Sequence, residues 1–341
     1  MAHHICPDDQ PGDIRILLKR CCMDYVIEAH DIYKEYPSQK GRPAVAGLSL
    51  AIPKGQLYSL VGPDGAGKTT TLRILSTVME QTRGTATIMG YDVRSAPEKA
   101  RRHIGYMPQN FSLYPDLSVI ENLNFFADIH QIPSSLRKAR IAEMLAFTRL
   151  EQFTARRAGA LSGGMKKKLA LACALVHDPA ILLLDEPSTG VDPVSRRELW
   201  VILANVVQQG VTILVSTPYM DEAERCHRVG MLYGGKMLVD GTPDEMTARL
   251  PFEIIEVKAK PRKAMRQIVS ENEQDGILEW RPVGDRLRLA VANHNGDSLR
   301  MMDTLAARFE ESALDVRLLR RVKPSMEDVF VHLVDEQRRA Q

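Results

Sequence analysis

Residues 56–79 read QLYSLVGPDGAGKTTTLRILSTVM, and this stretch is the most informative about the fold. An apolar run before position 62 predicts a buried strand, and the apolar spacing after position 70 predicts a helix. Between them lies the pattern G-x-x-x-x-G-K-[ST], formed by Gly62, Pro63, Asp64, Gly65, Ala66, Gly67, Lys68 and Thr69. A glycine-rich loop that enters a helix turns its backbone N–H groups towards phosphate. The stretch therefore predicts a phosphate-binding loop in an α/β fold.

Each residue type in this loop has a chemical reason to be there. Gly65 and Gly67 allow the backbone to wrap a polyphosphate, at a helix end whose dipole favours negative charge. Lys68 can reach the β- and γ-phosphates, and the Thr69 hydroxyl can bind Mg²⁺. The alternative is a plain glycine-rich helix entry, but this pattern arises by chance in roughly one chain of this length in a hundred.

Length and composition limit the possible classes of protein. The chain has 341 residues, 44% of them hydrophobic, and a net charge of +2 from 45 basic and 43 acidic residues. Two or three domains are therefore expected, and no global field favours nucleic acid as a partner. Five cysteines without paired spacing predict no disulfide framework or zinc site and favour a reducing cytosol. The longest apolar stretch, 169–184, is broken by polar residues, so no membrane span is predicted.

The sequence pattern changes several times along the chain. Residues 1–24 lack periodicity and are expected to form a flexible leader. His3, His4 and Cys6 could bind a metal, but no nearby residue completes such a site. Met23 is a possible alternative start. Residues 25–36 and 46–52 read as paired strands, with Tyr36 just before the turn between them.

Residues 116–178 change to helical periodicity and predict an inserted helical layer. Ser162, Gly163 and Gly164 stand at the start of its last helix, where Ser162 is expected to be the N-cap.

A second chemical signal follows this layer. Residues 180–184 form a continuous apolar run typical of a buried parallel strand, which ends at Asp185 and Glu186. Two adjacent carboxylates at the end of a buried strand are costly to place without a cation, so Mg²⁺ bound through Asp185 is expected. Another strand is predicted at 212–215 and a hairpin at 228–241.

Beyond Pro251 the order of predicted elements is βαββαβ, which suits a small ferredoxin-like domain, followed by an amphipathic helix at 325–334. No catalytic group is evident there, and its charges are expected to form a solvated surface.

The ordered motifs resemble the nucleotide-binding subunit of ABC transporters over about residues 25–245. The resemblance implies an α/β P-loop NTPase (ABC ATPase) core with an inserted helical subdomain at about 110–178 and a small C-terminal α+β domain. The implied domains are 1–24, 25–250 and 251–341.

The same resemblance assigns roles to single positions. It implies that Tyr36 stacks on adenine. It also implies that Gly62–Thr69, together with Thr70, form the Walker A loop that binds ATP, and that Asp185 is the Walker B carboxylate that binds Mg²⁺. Gln109 looks like the glutamine that completes the Mg²⁺ shell. Glu186 matches the general base, and Asp192 the D-loop aspartate. Ser162, Gly163 and Gly164 look like the signature motif, which would bind the γ-phosphate held by a second nucleotide-binding domain.

Two further stretches, MDEAE at 220–224 and PSMEDVFVHLV at 324–334, are most similar to drug-efflux ATPases, including tandem ATPases of the YbhF type. This similarity implies an ABC-2-type membrane permease as partner, at the cytoplasmic face of the inner membrane. It leaves open the transported substrate and whether the two ATPases of the dimer are identical.

Two positions depart from the family pattern. Met165 replaces the usual glutamine, which matters little because the hydroxyl and the glycine backbone bind phosphate. Pro218 stands where the family has its switch histidine, and proline offers neither a ring nitrogen nor a backbone donor. Three hypotheses therefore stay open: an exporter ATPase, a degenerate subunit that binds ATP but hydrolyses it slowly, and an ABC protein that acts on ribosomes or DNA.

Overall fold

A computed structural model describes residues 25–37, 41–110, 113–272, 276–292 and 297–339. The predicted leader and the possible start at Met23 lie outside these residues. Of the described residues, those up to Tyr219 together with Cys226–Asp240 form one compact unit. Met220–Arg225 and the residues from Gly241 onward form a second compact unit. None of the helices in the described part of the chain combines enough length and apolar character to cross a membrane.

The elements up to the hairpin follow in chain order. They are β1 (Tyr25–Lys34), β2 (Val45–Pro53), β3 (Leu57–Val61), α1 (Lys68–Leu75), β4 (Arg83–Ile88), β5 (Tyr91–Asp92), α2 (Pro97–Arg101), β6 (Ile104–Met107), α3 (Val119–Ile129), α4 (Ser134–Thr148), α5 (Gly163–Leu175), β7 (Ile181–Asp185), α6 (Pro193–Gln208), β8 (Thr212–Thr217), α7 (Met220–Ala223), β9 (Arg228–Tyr233) and β10 (Lys236–Gly241). Short 3₁₀ turns lie at Glu151–Phe153 and Ala158–Ala160.

The first unit contains two sheets. One has the order β2-β1-β4-β5 and antiparallel pairing, which confirms the predicted pairing of the first two strands. The other has the order β10-β9-β3-β8-β7-β6, and its pairs from β9 to β6 are parallel. Strands β3, β7 and β8 are buried along their whole length, as their continuous apolar or small residues predict. Parallel pairing brings their carboxyl ends to one edge of the sheet.

Helices α3, α4 and α5 pack on one another and correspond to the predicted helical layer. Ser162 is the N-cap of α5, as expected, and its Oγ accepts a hydrogen bond from the Met165 N–H. The four-residue strand β6, which leads towards Gln109, was not predicted, because so short a run carries no clear period.

The second unit continues with α8 (Pro243–Ala248), β11 (Phe252–Lys260), α9 (Arg262–Glu271), β12 (Ile277–Val283), β13 (Arg286–Ala292), α10 (Asp297–Glu311), β14 (Asp315–Val322) and α11 (Met326–Arg339). The sheet order β12-β13-β11-β14 with antiparallel pairing confirms the predicted βαββαβ pattern. Alternate residues of β11, namely Ile255, Val257 and Ala259, belong to its hydrophobic core.

The expectation that the charges of this unit are simply solvated is wrong. Glu256 is 8% exposed, and its carboxylate pairs with Arg286, Arg288 and Arg320 at 3.1–3.2 Å. Asp328 is 5% exposed and accepts from Arg288 at 2.7 Å. These side chains come from different strands and a helix, so the network arises from strand register and is not visible as a local pattern.

Candidate nucleotide-binding site

The glycine-rich loop lies at the carboxyl edge of the parallel sheet, between β3 and α1. Gly65 and Gly67 have φ values of +78° and +102°, which side chains rarely adopt. A Cβ on Gly62 would lie 2.2 Å from the Leu232 carbonyl oxygen, and one on Gly67 would lie 2.4 Å from the Ala44 carbonyl oxygen. Glycine at 62 and 67 is therefore required by the packing of neighbouring backbone, and the loop presents a concave backbone surface at the start of α1.

This loop forms one wall of a cavity of about 730 Å³. The cavity brings together most of the predicted nucleotide-binding residues, namely Tyr36, Asp64, Gly65, Ala66, Gly67, Lys68, Thr69, Thr70, Gln109 and Glu186. Arg42 and Lys236 also line the cavity, and sequence reasoning did not identify them because neither belongs to a recognisable motif. Its size and its mixture of backbone donors, cations and carboxylates fit a nucleoside polyphosphate.

Tyr36 lines the cavity beside the first turn of α1. Its hydroxyl contacts Thr70 Oγ1 at 3.4 Å and donates to Met79 Sδ at 3.2 Å, which fixes the ring against α1. The ammonium of Lys34 lies 5.7 Å from the ring centroid.

Lys68 is 4% exposed, and its Nζ donates to the carbonyl oxygens of Gly62 at 2.8 Å and Pro63 at 3.0 Å. Burial lowers the pKa of Lys68, and the nearby carboxylates, first Glu186, act in the opposite direction. Lys68 Nζ lies 3.8 Å from Glu186 Oε1. The loop thus holds a buried cation beside the predicted general base.

Asp185 is fully buried at the end of β7. Its Oδ1 accepts from Ser216 Oγ at 2.6 Å and from Thr69 Oγ1 at 3.0 Å. Its Oδ2 is buried and has no hydrogen-bond partner among the described residues. An orphaned carboxylate oxygen beside a threonine hydroxyl and a phosphate-binding loop is the oxygen donor set that suits Mg²⁺. Ser216 was not identified from the sequence, because it lies 31 residues from Asp185.

Glu186 is 5% exposed, and its carboxylate is held by side chains from two loops. Gln109 Nε2 donates to Glu186 Oε2 at 3.0 Å, and Thr189 Oγ1 donates to the same oxygen at 3.1 Å. The backbone of Glu186 has φ +48°, in the left-handed region that is unusual for a residue with a side chain. The predicted base and the predicted Mg²⁺ ligand Gln109 are therefore in direct contact.

The remaining predicted residues do not line this cavity. Ser162 and Gly163 are exposed at the N-terminus of α5, and Gly164 packs against Ser195 of α6. Asp192 is the N-cap of α6, where Oδ1 accepts from the N–H groups of Val194 and Ser195, and these bonds lower its pKa. Pro218 follows β8, two residues after Ser216.

Comparisons with known proteins identify the family of the chain. The sequence model of the family described as "ABC transporter" matches residues 45–189. The chain is 39% identical to "Probable multidrug ABC transporter ATP-binding protein YbhF" of Escherichia coli (strain K12), over 86% of this chain and 52% of that protein. It therefore spans about half the length of this relative. It is 32% identical to "Nod factor export ATP-binding protein I" of Ralstonia nicotianae (strain ATCC BAA-1114 / GMI1000), over 92% of this chain and 95% of that protein.

Solved structures of ABC transporter ATP-binding subunits resemble this chain in fold. The "ATP binding subunit of ABC transporter" aligns with a TM-score of 0.60 and 29% identity, over 66% of this chain and 92% of that one. The ATP-binding cassette MJ0796, in a dimeric post-hydrolysis state with ADP and Pi, aligns with a TM-score of 0.59 and 27% identity, over 63% of this chain and 98% of that one. These likenesses confirm the predicted fold class. With a relative matched along nearly its whole length at 32% identity, the chain belongs to the family of ABC transporter ATP-binding proteins.

Proposed function

We propose that the chain is the ATP-hydrolysing subunit of an ABC exporter, which couples ATP-driven closure of a dimer to transport by a separate ABC-2-type permease. The observation that carries this proposal is the cluster at the carboxyl edge of the sheet. Lys68, Asp185 with its orphaned oxygen, and Glu186 lie next to one backbone cradle. The relatives named for multidrug and Nod factor export support the exporter class.

Different residues of the chain would bind the phosphates, the adenine ring and Mg²⁺. The loop Gly62–Thr69 would hold the β- and γ-phosphates with backbone N–H groups, and Lys68 would leave its carbonyl partners to neutralise phosphate charge. Tyr36 would stack on the adenine ring. Thr69 and Asp185, with Gln109, would hold Mg²⁺, which when bound neutralises charge on the phosphates.

Hydrolysis would then depend on Glu186 as general base, which orients or deprotonates the attacking water. Its carboxylate already accepts from Gln109 and Thr189, and these contacts set its direction. Recruitment of Lys68 and Gln109 to nucleotide and Mg²⁺ would release the carboxylate to the water.

The second half of each site would come from another nucleotide-binding domain. Ser162, Gly163 and Gly164 lie outside the chain's own cavity, and two of them are exposed at a helix N-terminus. In a head-to-tail dimer these N–H groups would meet the γ-phosphate held by the opposite loop, with Asp192 close to the junction. We place such a dimer on a permease at the cytoplasmic face of the inner membrane.

The second candidate is a subunit that binds ATP in the dimer but hydrolyses it slowly. Pro218 favours this candidate, because it follows the strand that supports Asp185 and Glu186 yet supplies no imidazole. Glu186 argues against it, since the general base is present and well supported.

Glu186→Gln tests the enzymatic part. We expect the variant to bind ATP as the parent does, to lose turnover by about 10²-fold or more, and to form a longer-lived dimer with ATP in size-exclusion chromatography. Glu198→Gln, which removes a carboxylate paired with Lys168 outside the cavity, is the matched control. Parental turnover in Glu186→Gln would show that Glu186 is not the base.

Affinity purification of the tagged chain from membranes tests the partner. We expect a polytopic permease to co-purify and ATP turnover to change in its presence. A chain recovered free of any membrane protein would contradict the assignment to an exporter.

A further inference from the structure

Lys167 connects α5, the helix that begins with the signature motif and is called the signature helix below, to the loops that contain Gln109 and Glu186. It lies in α5, the helix that begins directly after Ser162, and is 4% exposed. Its Nζ donates to the Gln109 carbonyl oxygen at 3.3 Å and to the Glu186 carbonyl oxygen at 3.4 Å. One ammonium group therefore bridges the helical layer, the loop after β6 and the loop after β7.

Burying the Lys167 ammonium group costs desolvation free energy. An apolar side chain of similar length, such as methionine, would pack here without the desolvation cost. Burial lowers the pKa of Lys167, and the carboxylates of Glu186 and Asp185 act in the opposite direction. The two carbonyl oxygens and these carboxylates stabilise the buried positive charge, which in turn holds the two backbone segments that it contacts.

The backbone that Lys167 contacts at Glu186 is strained. Glu186 has φ +48°, which costs free energy for a residue with a Cβ. Its N–H donates to Ser216, at 3.1 Å to the carbonyl oxygen and 3.0 Å to Oγ, and its carbonyl oxygen accepts from Lys167. The unusual conformation is therefore held at both ends of the residue, and it fixes the Cα–Cβ bond from which the carboxylate extends to Gln109 and Thr189.

We propose that Lys167 is a positioning residue for ATP hydrolysis: it holds the backbone of Glu186 and of Gln109 so that their side chains face the nucleotide cavity. The proposal rests on the proposed function. Because Lys167 is carried by the signature helix, a shift of α5 changes the support of the base and of Gln109 together.

The experiment compares Lys167→Met, Lys167→Arg and Lys168→Met with the parent. Lys168 is the next residue of the same helix, and its partner is Glu198, outside the cavity. We expect Lys167→Met to lower kcat at least tenfold, about 1.4 kcal/mol of barrier, with KM for ATP changed less than about threefold. Lys167→Arg should keep at least a third of kcat, and Lys168→Met should keep kcat.

Hydrogen exchange gives a readout that needs no turnover. In Lys167→Met the amide of Glu186, followed in a peptide covering 184–191, should exchange at least tenfold faster, while peptides from β11 stay unchanged. Lys167→Gln, a smaller change, replaces the methionine variant if that variant does not fold. A parent that hydrolyses no ATP with or without its permease defeats the proposed function and with it a role of Lys167 in hydrolysis, whereas unchanged exchange in a parent that does hydrolyse ATP defeats only the role of Lys167.

The proposal is overturned if either kcat or the exchange of the Glu186 amide is unchanged in the Lys167 variant. It is equally overturned if Lys168→Met lowers kcat as much, or if the Lys167 variant loses ATP affinity instead of kcat.

Discussion

Gly164→Ala is expected to destabilise the first unit, although alanine normally favours a helix. An ideal Cβ at this position would lie 2.3 Å from Ser195 Oγ and 2.4 Å from Ser195 Cβ. The hydroxyl can rotate away, but the Ser195 Cβ is fixed to the backbone of α6. One of the two helices must therefore move.

The size of the effect follows from two opposing terms. Overpacking of this kind costs about 1–3 kcal/mol, and contacts this short favour the upper end. Replacing glycine by alanine in a helix returns about 0.5–1 kcal/mol. The net loss in the free energy of unfolding is therefore about 2 kcal/mol, which lowers the Tm of a unit of this size by roughly 4–8 °C.

Urea unfolding of four variants checks this reasoning: Gly164→Ala, Gly163→Ala, Ser195→Gly and the double variant Gly164→Ala/Ser195→Gly. Gly163→Ala is the matched control, because its Cβ would meet only the Gly190 carbonyl oxygen at an ordinary 3.6 Å, so its stability should equal or exceed that of the parent. Adding Ser195→Gly to Gly164→Ala should recover most of the loss and give a coupling energy of about 1–3 kcal/mol. If Gly164→Ala is as stable as Gly163→Ala, or if the two substitutions are additive, the steric argument is wrong.

Three further predictions concern charge and protonation. Lys68→Ala should weaken ATP binding by about 10- to 100-fold, because it removes a charge-assisted bond worth about 1.5–3 kcal/mol; unchanged affinity for a fluorescent ATP analogue and unchanged turnover would contradict this. Pro218→His should raise turnover of the isolated homodimer tenfold or more, about 1.4 kcal/mol of barrier, and equal rates would refute a role for the missing imidazole. His177 stacks on His130 at 3.6 Å, and burial, followed by the charge of His130, lowers its pKa from 6.5 to about 4. The unfolded chain therefore binds more protons between pH 6.5 and 4, so stability should fall on acidification, by about 2 kcal/mol from pH 7 to pH 5. His177→Gln should flatten this slope in urea titrations, and an unchanged slope would show that another group titrates.

The features that are contiguous along the chain could be predicted without a structure. The phosphate-binding loop could be predicted because the residues that shape it lie within eight positions of one another. The helical layer, the buried strand ending at Asp185 and the βαββαβ order followed from periodicity, which is a local property. Ser162 was correctly predicted as an N-cap for the same reason, since a cap and the N–H groups it accepts from lie within one turn.

Contacts between groups that are distant along the chain could be found only in the folded protein. Ser216 supports Asp185 because β7 and β8 are neighbours in register, and Lys167 reaches the Gln109 carbonyl across 58 residues of chain. Strand order and register result from the sum of many weak contacts along whole elements, so no short motif encodes them. The same reason explains the failure at Glu256, which reads as a surface charge in its strand and is buried among arginines of other strands.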